Sequence, residues 1–289
     1  MQDINLHPIG IVHSSPVGSD ELLKHGVAAS IEVFPEFLRG LEGVERSTHI
    51  MVIGWLHRAD RDILQVHRPR YAEADVMRGV FACRTPVRPN PLGVTTVRLV
   101  RIEGNVLYVD GLDMADGTPV VDIKPHSPGF DSAFCARSAR DLSRLADPDA
   151  SYALRGMLRE AENFHGERCT GLILGAKMIY KVMKTFGIAQ KDPHLAICVG
   201  RDGCIADAVQ ALSGATFGNN RLTQKDGDAF VFRFGKRELE FWPRELEHKQ
   251  TEDILAADIE DLCEIREKEL CDVGLAGSNN LTAFDIQST

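Results

Sequence analysis

Thr95-Thr96-Val97-Arg98-Leu99-Val100-Arg101-Ile102, then Glu103-Gly104-Asn105, then Val106-Leu107-Tyr108-Val109-Asp110-Gly111-Leu112: two runs rich in Val, Leu, Ile and Thr, parted by a short turn. β-branched residues suit a pleated, half-buried surface, and Gly-Asn suits a turn. The same pattern repeats outward from this pair. His7–His13, Ala28–Phe34, His49–His57 and Val80–Arg84 read as further short strands, with turns at Gly40–Gly43 and Asp116-Gly117. Many short strands at this spacing predict a barrel or sandwich over residues 1–135. Glu36–Leu41 adds one helical turn, and Asp60–Asp75, with Arg68-Pro69-Arg70, reads as a long polar loop.

Beyond Ser127-Pro128-Gly129 the rhythm changes. Residues 136–152 read as a linker, with Arg137, Arg140, Arg144 and Asp147-Pro148-Asp149. Ala153–Phe164 and Thr170–Phe186 have helical spacing, the latter through Leu172, Ala176, Ile179 and Met183. Leu195–Val199 is a short apolar strand, Cys204–Leu212 a helix after a Gly turn, and Phe230–Phe234 with Leu239–Trp242 a hairpin about Gly235. Residues 153–247 are therefore α+β. Thr251–Leu270 reads as an acidic amphipathic helix, with Ile254, Ile259, Leu262 and Ile265 on one side, and Gly274–Thr289 as a weakly patterned tail; together they make a segment 248–289. The expected fold is thus multidomain, an all-β barrel followed by an α+β domain.

The 289 residues suit about two domains, and a 44% hydrophobic share is enough for a core in each. No run reaches the ~20 apolar residues of a membrane span. Met1–Pro8 shows no basic, apolar-cored leader. Seven Cys without dense spacing fit reduced thiols of a cytoplasmic protein, some of them candidate metal ligands. A net charge of −9 argues against a broad nucleic-acid coat. Yet residues 58–101 hold nine Arg (58, 61, 68, 70, 78, 84, 88, 98, 101) against four acids (60, 62, 73, 75). Either this is a solvated basic face, or it is a site for phosphate or carboxylate.

Arg84-Thr85-Pro86-Val87-Arg88-Pro89-Asn90-Pro91-Leu92-Gly93 carries three prolines, each fixing φ and removing a donor. Such a loop is stiff before any ligand arrives, which lowers the entropy lost on binding. Leu112–Pro125 follows with an Asp116-Gly117-Thr118-Pro119 turn and a strand on which Asp122 and Lys124 share one face and Val121 and Ile123 the other. Its carboxylates, Asp113, Asp116 and Asp122, suit salt bridges to Arg84 or Arg88, or hydrogen bonds from ribose hydroxyls.

These residues resemble the TrmO/YaeB (TsaA-like) family. The resemblance runs from Ile9-Gly10-Ile11-Val12-His13-Ser14-Ser15-Pro16 through Gly40–Glu45, Ser47-Thr48-His49 and Trp55-Leu56-His57-Arg58. It is strongest at Arg78–Arg84, Arg88–Gly93 and Asp116-Gly117-Thr118-Pro119 through Lys124-Pro125, and spans about residues 7–130. It implies a small β-barrel that binds S-adenosylmethionine, works as a homodimer, and methylates the exocyclic nitrogen of threonylcarbamoyl-adenosine beside the tRNA anticodon. By matching motifs, His57, Arg58, Arg84, Leu92, Asp113, Asp116, Gly117 and Thr118 become candidate cofactor contacts. Arg88 and Asn90 shape the same pocket, and Lys124 and His126 are candidates on the acceptor side. Asp113, Asp122, His57 and His126 are each possible bases, and no single one stands out.

In the second half, His165-Gly166-Glu167-Arg168-Cys169-Thr170-Gly171 reads as the opening of the long helix, which would put His165 and Cys169 on one side. Cys204 follows at a Gly turn. One His and two Cys make three ligands and leave a fourth position for water or substrate; a buried Cys with a capping His is the plainer reading. Phe164-His165-Gly166, Cys169 to Gly175, and Cys204 to Gly218 through Asp207-Ala208-Val209-Gln210 resemble the E subunit of formylmethanofuran dehydrogenase, FmdE. That resemblance covers about residues 160–245. It implies an α+β module, commonly a dimer, with a zinc-type site at His165, Cys169 and Cys204, and Asp207 as a weaker candidate.

Three functions stand at this point: a tRNA methyltransferase, a methyltransferase of a small molecule, and a non-catalytic protein that binds a metal and S-adenosylmethionine.

Overall fold

The computed structural model describes residues 4–15, 26–67, 77–134, 136, 150–245 and 250–270. Arg68, Arg70, most of the linker and the tail lie outside these residues. The chain divides into two compact units, the first ending at Ser132 and the second taking in everything from Ala133 onward.

The first unit is a closed barrel. Strands β1 (Gly10–Ser14), β2 (Val27–Val33), β3 (His49–Trp55), β6 (Leu92–Glu103), β7 (Val106–Leu112) and β8 (Pro119–Pro125) are ordered β1-β2-β7-β6-β3-β8. Every neighbouring pair is antiparallel, and β1 pairing with β8 closes the ring. Alternation along each strand turns Val12, Ile31, Ile50, Val52, Val97 and Leu107 inward, all essentially inaccessible. So small a barrel is filled by its own side chains, and ligands must bind outside it or at a mouth. Gly54 keeps one mouth open to a plug: a Cβ there would lie 2.5 Å from Met114 Sδ, and Met114 is buried in the core.

Three predictions for this unit need correction. The Asp60–Asp75 stretch is not all loop, because Gln65–His67 within it is a strand. Val121 and Ile123 do not share a face. Ile53 pairs with Asp122 but Gly54 with Val120, so Val121 is an extra residue, a β-bulge. Val120 and Ile123 therefore both pack on the core, while Val121 is released outward. Nor is Val80–Arg84 a strand. Strand β5 ends at Gly79, pairs only with β4 (Gln65–His67 on Met77–Gly79), and gives way to a 3-10 turn over Val80–Ala82. The Arg88 guanidinium donates to the carbonyls of Val80, Cys83 and Thr85, which removes the Val80 and Cys83 carbonyls from any ladder.

The second unit packs α1 (Ala150–His165), α2 (Thr170–Phe186) and α3 (Gly203–Ser213) against a mixed sheet. Its order is β10 (Leu222–Gln224), β9 (Ala196–Val199), β11 (Phe230–Phe234), β12 (Arg237–Pro243) and β13 (Cys263–Glu269). Phe230, Phe232 and Phe241 meet Leu172, Ile179 and Val182 in one core. Helices α2 and α3 approach closely because Gly171 and Gly175 line their contact. A Cβ on Gly175 would stand 2.7 Å from Ala208 Cβ and 2.9 Å from the Ile205 carbonyl oxygen.

The predicted acidic helix over 251–270 is not one helix. It is α4 (Thr251–Ala256), a break at extended Ala257 and Asp258, α5 (Ile259–Leu262) and then β13. Lys177 Nζ donates to the Ala257 carbonyl at 2.7 Å across the break. From Cys263 the residues alternate, with Cys263 and Ile265 on the core and Glu264, Arg266 and Lys268 facing away from it. Lys268 pairs with Glu240 of β12 at 2.9 Å. The charges that resemble the wet side of a helix are those of an edge strand, where they also discourage pairing with another chain.

Candidate functional site

Two motif-bearing segments meet at the Trp55 end of β3. Trp55 pairs with Leu92, and the Leu56 N–H donates to the Pro91 carbonyl at 2.7 Å, so the proline loop is tied to β3. The Asp113–Thr118 turn is tied to the same end. The Ser14 N–H donates to Asp116 Oδ1 at 3.1 Å, and Arg58 donates to the Asp116 carbonyl at 3.3 Å. Gly117 takes φ +77°, a left-handed conformation that glycine adopts without strain. Thr118 is buried, and Asp113 accepts the Thr95 hydroxyl hydrogen bond.

Outside the barrel at this end lies a cavity of about 410 Å³. That size falls within the range of small-molecule sites. Ile4–Leu6 and Pro8 form one wall; Trp55, Arg61, Asn90, Leu92, Pro119 and Val121 form the other. The Arg61 guanidinium sits 5.3 Å from the Trp55 ring centroid, and its Nε donates to the Pro89 carbonyl at 3.1 Å. The bulge is what presents Val121 here rather than to the core.

Of the predicted contacts, Asn90 and Leu92 line the cavity. Arg58, Asp116, Gly117 and Thr118 do not line it; they belong to the pinned turn that leads into Pro119, which does. Arg88 points inward and clips its own loop. Arg84 is exposed and donates to the Val94 carbonyl, and His57 is exposed beside Arg58. Lys124 and His126 are elsewhere. Lys124 pairs with Met51, four residues from Trp55 along β3, or about 14 Å at ~3.4 Å per residue. Lys124 Nζ is 2.6 Å from Asp122, and His126 faces Asp131 at 3.6 Å. Sequence reasoning missed Trp55, Arg61 and Val121 as site residues. Trp55 was within reach, since it begins a quoted motif, but Val121 depends on the bulge.

The second constellation gathers from three elements. His165 ends α1, Cys169 caps α2, and Cys204 lies in the first turn of α3. This corrects the prediction that His165 and Cys169 share a helix: Gly166, at φ +101°, turns the chain between two helices. One donor atom from each of the three residues lies within 4.8 Å of the others. Cys169 Sγ is 3.7 Å from His165 Nε2 and accepts the Leu172 N–H at 3.4 Å. Asp207 is not among the three. Its Oδ2 lies 2.8 Å from His165 Nδ1, which orients the ring with Nε2 toward the sulfurs. A carboxylate behind a histidine is the usual support of a metal ligand. Burial, the Cys169 thiol, and the Asp202 and Asp207 carboxylates push the Cys204 thiol up to about 11. A divalent cation would reverse that cost, and two sulfurs with one imidazole nitrogen suit zinc. Cys263, by contrast, is pushed up to about 12, chiefly by burial, and serves the core. Among the described residues, no helix is long and apolar enough to cross a membrane.

Comparison with known proteins assigns both halves. Residues 14–132 match the model of the tRNA-methyltransferase O N-terminal domain. Residues 164–272 match FmdE, described by the molybdenum formylmethanofuran dehydrogenase operon. A probable S-adenosyl-L-methionine-binding protein of Archaeoglobus fulgidus is 36% identical over 235 residues, 78% of this chain and 62% of that protein. A second protein of that organism, an S-adenosyl-L-methionine-binding protein, is 40% identical over 130 residues, 44% of this chain and 91% of its own length. A probable S-adenosyl-L-methionine-binding protein of Methanothermobacter thermautotrophicus is 41% identical over 134 residues, 45% of this chain and 95% of its own length. The chain belongs to the family of the tRNA-methyltransferase O N-terminal domain, joined to an FmdE-like domain. It spans about 62% of the length of the first Archaeoglobus relative.

Proposed function

We propose that the chain is an S-adenosylmethionine-dependent methyltransferase that modifies threonylcarbamoyl-adenosine next to the tRNA anticodon. It works as a homodimer and holds zinc at His165, Cys169 and Cys204. The observation that carries the first part is the cavity at which the proline loop and the Trp55 end of β3 meet.

S-adenosylmethionine supplies an electrophilic methyl carbon on a sulfonium. The protein's task is to seat the donor, align an acceptor nitrogen and exclude water, which can supply several kcal/mol of the barrier. Trp55, Leu92 and Val121 offer apolar surface and an aromatic face for a nucleoside. Asn90 offers an amide for polar contacts, and three prolines hold its loop in shape. Asp122 is committed to Lys124, and Asp113 to Thr95. Both carboxylates are already engaged, His57 and His126 stay as candidate bases, and the larger share is assigned to positioning.

Trp55→Ala should weaken S-adenosylmethionine binding by about 30-fold, the loss of roughly 2 kcal/mol typical of a buried aromatic anchor. Calorimetry reads the loss, and circular dichroism checks that the barrel survives. The acceptor is tested by incubating the protein with deuteromethyl donor and tRNA that carries threonylcarbamoyl-adenosine, then analysing nucleosides by mass spectrometry. A deuteromethyl group on that nucleoside is the expected result; its absence overturns the assignment. The metal cluster favours a second reading, a small-molecule acceptor. Label appearing in a small-molecule pool while tRNA stays unlabelled would select it. Donor binding with no label in either would leave a binding protein without turnover.

A further inference from the structure

Phe81 is 83% exposed, yet the turn that carries it is held by several hydrogen bonds. Val80, beside it, is buried, and its N–H donates to the Leu64 carbonyl at 3.0 Å. The Cys83 N–H closes the turn on the Val80 carbonyl at 3.2 Å. The half-buried Arg88 guanidinium then grips the carbonyls of Val80, Cys83 and Thr85. Arg88 belongs to the same proline loop that places Asn90 on the cavity wall. A large apolar ring is thus fixed in water on a mount shared with the site, where burial would have been worth roughly 2–3 kcal/mol.

Two cations are linked to this turn. Arg84 follows Phe81 by three residues, and Arg61 donates to the Pro89 carbonyl beside Arg88, the residue that grips the turn. Both are exposed, and each uses one N–H on a backbone carbonyl among the described residues. A guanidinium has five N–H donors, so each retains capacity for phosphate. They fall in the stretch 58–101, where nine Arg face four acids in a chain of net charge −9. A rigid exposed aromatic among arginines is the combination that binds unpaired nucleic acid: the ring stacks on a base and the cations take the backbone.

We propose that Phe81 is a stacking platform for an unpaired base of the RNA acceptor, with Arg61 and Arg84 receiving its phosphates. The inference rests on the RNA reading above and assigns that reading a surface. Recognition through a stacked base requires a single-stranded loop, so duplex RNA of equal length binds more weakly.

The test uses the full chain and a fluorescently labelled RNA hairpin with a seven-nucleotide loop, followed by anisotropy. Phe81→Ala should weaken binding on the order of tenfold, and Phe81→Tyr should restore it. The salt dependence of binding should keep its slope in Phe81→Ala, because no phosphate contact is lost. S-adenosylmethionine binding should be unchanged. Wild-type affinity in Phe81→Ala would overturn the inference while leaving the RNA reading intact. A change of sedimentation mass in Phe81→Ala, without altered RNA affinity per chain, would make Phe81 a contact between copies and overturn it as well. No RNA binding by the wild type, with donor binding intact, would defeat the RNA reading and this inference together.

Discussion

Cys204→Ala should abolish the stoichiometric zinc binding proposed for this cluster, with affinity falling about 70- to 900-fold. A four-ligand zinc site is worth about 10–16 kcal/mol in small domains, so one ligand of four carries roughly 2.5–4 kcal/mol. His165→Ala should do the same. Asp207→Asn, which keeps the shape but weakens the hold on His165, should cost about 10- to 100-fold. Chelator competition reads all three. The pH dependence has a definite sign. In the metal-free protein the Cys204 thiol is pushed up to about 11, chiefly by burial, so it is protonated at neutral pH. Zinc must displace that proton, and apparent affinity should rise as pH rises from 6 to 9. Affinity that is flat in pH, or that survives Cys204→Ala, would remove the cluster from consideration as a metal site.

Gly175→Val should destabilise the second unit by about 3 kcal/mol, read as a shift of its urea midpoint. The added Cβ alone meets Ala208 Cβ and the backbone oxygen of Ile205, the γ-methyls add bulk beyond it, and backbone cannot rotate away. Helices α2 and α3 must part. Cys169 caps one and Cys204 opens the other, so the same variant should also weaken zinc binding. Gly175→Ala should cost less, because Ala is the better helix former by about 1 kcal/mol and adds a single methyl. An unshifted midpoint in Gly175→Val would mean that the two helices do not meet at this glycine.

The barrel was legible because its strands alternate: Val12, Ile31, Ile50 and Leu107 lie where a period of two puts them. Alternation fails where a register slips. Nothing in Val120-Val121-Asp122-Ile123 announces an extra residue, since the bulge is defined only against Gly54 on the neighbouring strand. Val80–Arg84 has strand composition, but Arg88, a few residues on, takes the Val80 and Cys83 carbonyls. The stretch 251–270 misled for a different reason. Ile254, Ile259, Leu262 and Ile265 fit a helical face, whereas the alternation of Cys263, Ile265 and their charged neighbours holds only in its second half. The grouping of His165, Cys169 and Cys204 was legible as residue types at motif positions. That it is assembled from a helix end, a helix cap and a first turn was not, because spacing along the chain does not reveal Gly166 turning between two helices. Lys124 and His126 share a motif with the Asp116–Pro119 turn but not its place, because a strand carries them away from the cavity.

The most direct test is calorimetric titration of S-adenosylmethionine into the full chain, alongside Trp55→Ala and Cys204→Ala. One donor bound per chain, weakened about 30-fold by Trp55→Ala and untouched by Cys204→Ala, is the predicted result. No heat with the wild type, or equal affinity in Trp55→Ala, would contradict the placement of the donor at the Trp55–Leu92 mouth of the barrel.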